Sequence, residues 1–553
     1  GDVSGGSATG TLTVTTADNA VASGDINIIV GNANAAINTA SSDETVTVVA
    51  DNLTGDSFLL AVGGGSDVVV TGLVEDLDAN GNTTLGTSSL TETLDVTTGA
   101  LNDGDRLNIT LGSNTSVVEV DEDDDAPGSG VEAVINAISM TTNGADLTLT
   151  GDGEVEVNNL SRDVDASGLS GDLDVNTVES SILKATTGTG DTVVSAASNS
   201  TITVDATNLT VDGSGDTFEL TTDGSGEVIV QALAADLDAS LLSGPLTATT
   251  QLDADVNIKS NSVNSDLFAS GSGSSMTVDA TAMESGTRLN AFGDGAFTIS
   301  EVGSGVSIDA DGDTDNSALS GSLDVTTASE ATGVDVFTGS EDASVTGDSG
   351  DFEVFADKLA NDKTLTLSGT STMTVTGLIG DVDASSGSGT LTVTTRNNQN
   401  DNTITVATSS GATTVNADQT GDTVTVDATP LADDTLLSVN GDSNFLVTGL
   451  KGDLVADNGT GTLAITLADA SDINLDIDRT ATVSGDAFGD GNMLELKGSG
   501  DLTITGMVGD IDASVSGDAA LTGDLTVSTA PIEGTPGNPA MFIDTGTGST
   551  TIN

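Results

Sequence analysis

Val375-Thr376-Gly377-Leu378-Ile379-Gly380-Asp381-Val382-Asp383-Ala384-Ser385 is one copy of a phrase that returns along the whole chain. It reads Val70-Thr71-Gly72-Leu73-Val74-Glu75-Asp76-Leu77-Asp78-Ala79 earlier, and Ile504-Thr505-Gly506-Met507-Val508-Gly509-Asp510-Ile511-Asp512-Ala513-Ser514 later. With the first aspartate of each copy as a marker, the series runs Asp2, Asp76, Asp163, Asp236, Asp309, Asp381, Asp453, Asp510. The steps are 74, 87, 73, 73, 72, 72 and 57 residues. A period near 73 marks a repeat protein, whose function lies in its length and surface rather than in one pocket.

Each phrase is followed by a Gly/Ser linker and then by a strand pattern. Thr11-Leu12-Thr13-Val14-Thr15-Thr16, Leu94-Asp95-Val96-Thr97-Thr98 and Thr390-Leu391-Thr392-Val393-Thr394-Thr395 all alternate apolar and polar residues with β-branched types dominant. That is the signature of a half-buried strand. A second landmark, Thr203-Val204-Asp205-Ala206-Thr207-Asn208-Leu209, recurs at Thr277 to Met283 and at Thr425 to Leu431. One unit therefore carries about six short strands at roughly 10 to 12-residue spacing.

The expected fold is all-β, a repetitive parallel β-solenoid; tandem antiparallel β-sandwich modules are the alternative. The solenoid is favoured by small aliphatic strand positions with only 2% aromatics and by the near-constant period. Dividing 73 residues into three coils gives about 24 residues per turn, and 553 residues then make a rod of roughly 110 Å at the strand spacing. The repeat array is expected over 1–529, in units 2–75, 76–162, 163–235, 236–308, 309–380, 381–452, 453–509 and a partial 510–529. The long second step holds an acidic insertion at 118–130, followed by a short helix pattern from Val131 to Ile138. The short last step reads as the loss of one coil. Residues 530–553, with three of the six prolines, read as an irregular junction. Both ends look like cuts through a longer array.

The composition excludes much chemistry. Without Cys, His, Trp or Tyr there is no thiol or imidazole nucleophile, little zinc or haem ligation, and no histidine as the usual general base, which leaves carboxylates, hydroxyls, amides and a few Lys and Arg. The expectation is that the chain is not an enzyme. Eleven basic residues against 86 acidic ones, a formal charge of −75, exclude phosphate-directed nucleic-acid binding and adsorption to anionic membranes. No stretch approaches the length of an apolar membrane span.

Such a charge repels itself unless cations neutralise it. Asp outnumbers Glu and sits beside Gly, Asn or Ser, as short carboxylates in Ca²⁺-binding turns do. A halophile's solvated acidic surface is the other reading. The candidate ligands are the pairs Asp76/Asp78, Asp163/Asp165, Asp236/Asp238, Asp381/Asp383 and Asp510/Asp512, since residues i and i+2 of an extended segment face one way. The fourth copy, Asp309/Asp311, is imperfect. Asp121, Asp123 and Asp125 in the acidic run add a further candidate. Against this, Asp also caps turns through its own backbone.

The Gly63-Gly64-Gly65-Ser66-Asp67-Val68-Val69 and Gly213-Ser214-Gly215-Asp216-Thr217-Phe218 strings approximate the nonapeptide Gly-Gly-x-Gly-x-Asp-x-apolar-x. With the Asp/Thr/Gly/Val composition, the chain resembles the large bacterial hemolysin-type, calcium-dependent repeat proteins, including surface-layer proteins and repeat-rich adhesins. The resemblance implies export, calcium-assisted folding at the cell surface, and a structural or adhesive role. The function expected first is a self-assembling subunit of a surface layer or extracellular filament, with calcium as cofactor. Its partners are copies of itself and a cell-surface glycan. The alternative is the stalk of a calcium-dependent adhesin, and a carbohydrate-active β-helix enzyme is a distant third.

Overall fold

The computed structural model describes Gly1–Asn553 except residues 1, 7–9, 17–24, 40–44, 52, 54–58, 74, 80–89, 91–93, 99–106, 113, 121–132, 141–145, 207–219, 313–317, 398–401, 470–471, 490, 515–519 and 530–540. Among the described residues there are 52 β-strands and no helix. The chain forms two units, Gly1–Met276 and Thr277–Asn553, built on one plan. Within each unit strands pair in parallel with the next strand but one, so successive strands fall in two facing sheets and two strands make one turn of a β-solenoid. The antiparallel sandwich is thereby set aside.

The strand sequences dictate the core. In Thr423–Asp427 (Thr-Val-Thr-Val-Asp) the valines are buried and the polar residues stand outward. Because the ladders are parallel and in register, inward residues stack on their own kind. Val164, Ala185, Val204, Val230, Ala248 and Leu267 form one such buried column in the first unit. In the second unit ten register steps lead from Phe297 to Ile504, 207 residues, or about 21 residues per turn. Small aliphatic side chains fit this narrow interior, where two sheets share one thin core.

The turn of about 21 residues corrects the expected 24, and with it the expected three turns per phrase. Marker segments open the first, eighth, fifteenth, twenty-second, twenty-ninth, thirty-sixth and forty-third strands, a spacing of seven strands rather than six. Seven strands make three and a half turns, so successive phrases fall on opposite sheets: Asp163 lies on one and Asp236 on the other. The last marker strand, Asp510–Asp512, is the forty-ninth, so the short final step lacks one strand, half a turn. The long second step still spans seven strands among the described residues. The helix expected from Val131 to Ile138 is instead the strand Ala133–Asn136, with Ala133 and Ile135 buried. Periodicity cannot separate helix from strand in so short an apolar run. Residues 530–553 are not wholly irregular either: Ile543–Asp544 and Thr550–Ile552 continue the two ladders.

The Val-Thr-Gly-Leu part of the phrase has a physical reason. Gly72, Gly377, Gly449 and Gly506 sit at φ of 65°, 75°, 68° and 69°, the left-handed region. Each inserts an extra residue that shifts the register, for example between Thr376 and Leu378. Where another residue stands at this place, the backbone is unchanged: Asn159, Ala232 and Glu301 have φ of 58°, 55° and 57°. The bulge frees the preceding carbonyl. In all seven copies it accepts an N–H from a small residue one turn earlier, as Thr376 O does from Ala356 N at 2.9 Å. Glycine is preferred because it enters this region without steric cost.

Candidate cation sites

The first aspartate of each phrase is a ladder cap. The strand Asp381–Gly387 pairs with only the last two residues of Thr403–Ala407, which leaves the Thr405 N–H without a strand carbonyl. Asp381 Oδ1 accepts it at 2.7 Å. The same bond recurs from Asn108 N to Asp76, Lys184 N to Asp163, Asn257 N to Asp236, Asn474 N to Asp453 and Phe542 N to Asp510, at 2.7–2.9 Å. A side-chain oxygen thus replaces a missing backbone acceptor, as buried or half-buried N–H groups require.

The second aspartate closes its own turn. Asp165, Asp238, Asp383 and Asp512 each accept the N–H two residues on, from Ser167, Ser240, Ser385 and Ser514, at 2.9–3.0 Å. Asp309 does the same for Asp311 N at 3.2 Å. Asp309 therefore occupies the second place of its copy and Ser307 the first, which moves the frame from the expected Asp309/Asp311 pair. These are Asx turns, and they explain the recurrent Asp-Ala-Ser spacing.

Each pair does lie on one outer face, as alternation requires, yet in Asp163/Asp165, Asp236/Asp238, Asp381/Asp383 and Asp510/Asp512 both carboxylates already serve backbone donors, as Asp76 does in the remaining pair. At Asp236/Asp238 a cation is built in: Lys259 Nζ lies 2.8 Å from Asp238 Oδ2. Burial raises the Asp238 pKa, but the bonds from Lys259 and Ser240 outweigh it and hold the carboxyl below its usual range. Among the described residues no three carboxylates converge closely enough to enclose a metal ion. Asp121, Asp123 and Asp125 lie outside the described residues.

Acidic neighbours do meet across turns. Glu156 faces Asp174, and Asp335 faces Glu353, in direct register on the outer faces. Burial pushes the Asp174 carboxyl up, helped by Glu156 and Asp223, and burial with Glu353 does the same to Asp335. Opposed like charges at the strand spacing are where a solvated cation gains most.

Two constellations bring in arginines from outside the phrase. Arg288 Nη1 contacts the buried Asp309 at 2.6 Å and lies over the Phe337 ring, which stacks on Phe355 with centroids 4.4 Å apart. Beside them burial, and then the bond to Asp309, raise the Asp311 carboxyl to about 6. The other is Arg479, 3% exposed, whose Nε donates to Asp457 O at 2.9 Å and whose Nη2 reaches Gly441 O and Asp457 Oδ1. It lies over the Phe445 ring at 5.4 Å. With 11 basic residues in the chain, each Lys or Arg was a signal that could have been read singly.

No family model matches the chain, and neither a curated protein nor a solved structure is similar to it. Of the two nonapeptide-like strings, Gly63 to Val69 forms the end of one strand, a turn at Gly65 and Ser66, and the start of the next. Gly213 to Phe218 lies outside the described residues.

Proposed function

We propose that this protein is a structural element of the cell exterior: a self-assembling subunit of a surface layer or filament, stabilised by calcium. The observation that carries this reading is the uniformity of the chain. Both units repeat a two-sheet parallel turn, and among the described residues the aspartate caps and Asx turns recur along that repeat. Such a body offers extended faces and a repeat to match, which is what assembly needs. A formal charge of −75 must be neutralised for copies to approach, and divalent cations between opposed carboxylates such as Glu156/Asp174 supply that. The same logic agrees with the resemblance to hemolysin-type repeat proteins.

Electron microscopy of the purified chain with calcium and with chelator tests the proposal, alongside thermal melts at matched ionic strength. Ordered sheets or filaments with calcium, and a higher midpoint than in chelator, are expected. Dispersed single particles in both conditions would refute assembly and leave an adhesin stalk ahead. Identical midpoints would refute the calcium term.

A further inference from the structure

One outer face of the second unit carries two uncharged columns along its strands. In register across six turns, Leu446, Ala464, Thr482, Thr503, Thr526 and Thr551 point outward from one sheet. Beside them run Thr466, Ser484, Thr505 and Ser528. Neither column holds a charge, and Leu446, Thr482, Thr503 and Thr505 are exposed. The other sheet of the same turns presents Asp453, Asp476, Glu495, Asp510 and Asp512, with Lys497 as its one cation among the described outward residues.

We infer that this neutral hydroxyl-and-methyl face is a lateral docking surface for a second copy of the chain. The inference rests on the self-assembling reading and names the surface it uses. Electrostatics favours such a face: in a chain of charge −75, columns without carboxylates are where two copies meet with the fewest opposed like charges, here bounded at the strand starts by the exposed Asp501 and Asp524. Geometry selects the occupant. The face repeats at the strand spacing of about 4.8 Å along the solenoid and about 6.7 Å along each strand. A second copy carries the same repeat, so small β-branched side chains interdigitate in step at every turn, as in dry interfaces between stacked sheets. A partner of another period would lose register within a few turns. Six turns of five-residue strands give about 500 Å² per copy, about 1,000 Å² in the pair, which is the lower edge of specific interfaces and fits a weak contact multiplied along an assembly.

The test measures association of the full chain by sedimentation across concentration, with calcium present. Two glutamates at the centre, Thr503→Glu with Thr526→Glu, should weaken association by about 100-fold or more, since a symmetric pair brings four new carboxylates together. Val455→Glu, at an exposed position on the acidic sheet, should leave it unchanged. Circular dichroism melts of both variants check that the fold is kept. The chain has no cysteine, so Thr503→Cys gives a second, independent readout: oxidation should yield covalent dimers, whereas Val455→Cys should not. Association that persists in the double glutamate variant would overturn this interface while leaving assembly intact. No association of the unaltered chain at any concentration would overturn both.

Discussion

Replacing Ala232 by glycine should make the protein locally more stable, although it removes a methyl group and adds nothing. Ala232 holds the bulge position at φ 55°, where four other copies have glycine. A residue with Cβ pays about 1–2 kcal/mol in the left-handed region, and glycine pays about 0.5–1 kcal/mol in extra chain entropy, so the net gain is about 0.5–1 kcal/mol. The reverse change, Gly377→Ala, meets the same conformational penalty. Its new Cβ would also lie 2.2 Å from Asp357 Oδ1, so that side chain must swing away. A loss of about 1–2 kcal/mol follows. A long repeat array need not unfold in two states, so hydrogen exchange read by mass spectrometry is preferred to a single melting midpoint. The peptides to follow contain Ala206 N–H in the first case and Ala356 N–H in the second, since these bond to the carbonyls beside the bulge. Ala232→Gly should slow exchange about 2–5-fold, and Gly377→Ala should speed it about 5–30-fold, at 1.4 kcal/mol per tenfold. Faster exchange in Ala232→Gly, or no change in Gly377→Ala, would refute the claim that the phrase is written around a left-handed residue.

Acidification offers a second check. Asp311 titrates near 6 in the folded chain, above its ordinary 3.8, so the folded state favours the protonated form. That advantage is present at low pH and is lost as pH rises through about 6, so exchange near Ser307–Asp309 should slow between pH 7 and pH 5 after correction for intrinsic rates. Asp311→Asn should flatten this dependence. Arg479→Met should cost about 1.5–3 kcal/mol, because Gly441 O and Asp457 lose a charged donor, and Arg479→Lys should not restore it, since one ammonium cannot span the guanidinium's partners. Urea unfolding followed by exchange within the second unit reads both variants. Finally, Asp381→Asn should keep the cap to Thr405 N and leave thermal stability unchanged in chelator, whereas Asp381→Ala should lose about 1 kcal/mol. If Asp381→Asn alone abolishes a calcium-dependent rise in melting temperature, the carboxylate's charge matters beyond its cap.

The amino-acid sequence by itself determined the class of this protein. Alternating Val and Thr, as in Thr423–Asp427, set the strands and their inner faces, because period two has no other compact use. The recurring phrase marked the repeat, but not the left-handed backbone at Gly377, which Asn159, Ala232 and Glu301 share in other copies. What lay beyond the sequence was how turns stack. A 73-residue period divides as readily into three turns as into three and a half, and pairing with the next strand but one decides for the latter. That half turn sends successive Asp-x-Asp pairs to opposite faces, which no local pattern encodes. It also takes tertiary register to show why the aspartates are there. Asp381 answers an N–H 24 residues away, and that N–H lacks a partner only because the two strands begin out of step. Local pattern fixes which way a side chain points; only the stacking of turns fixes what it meets there.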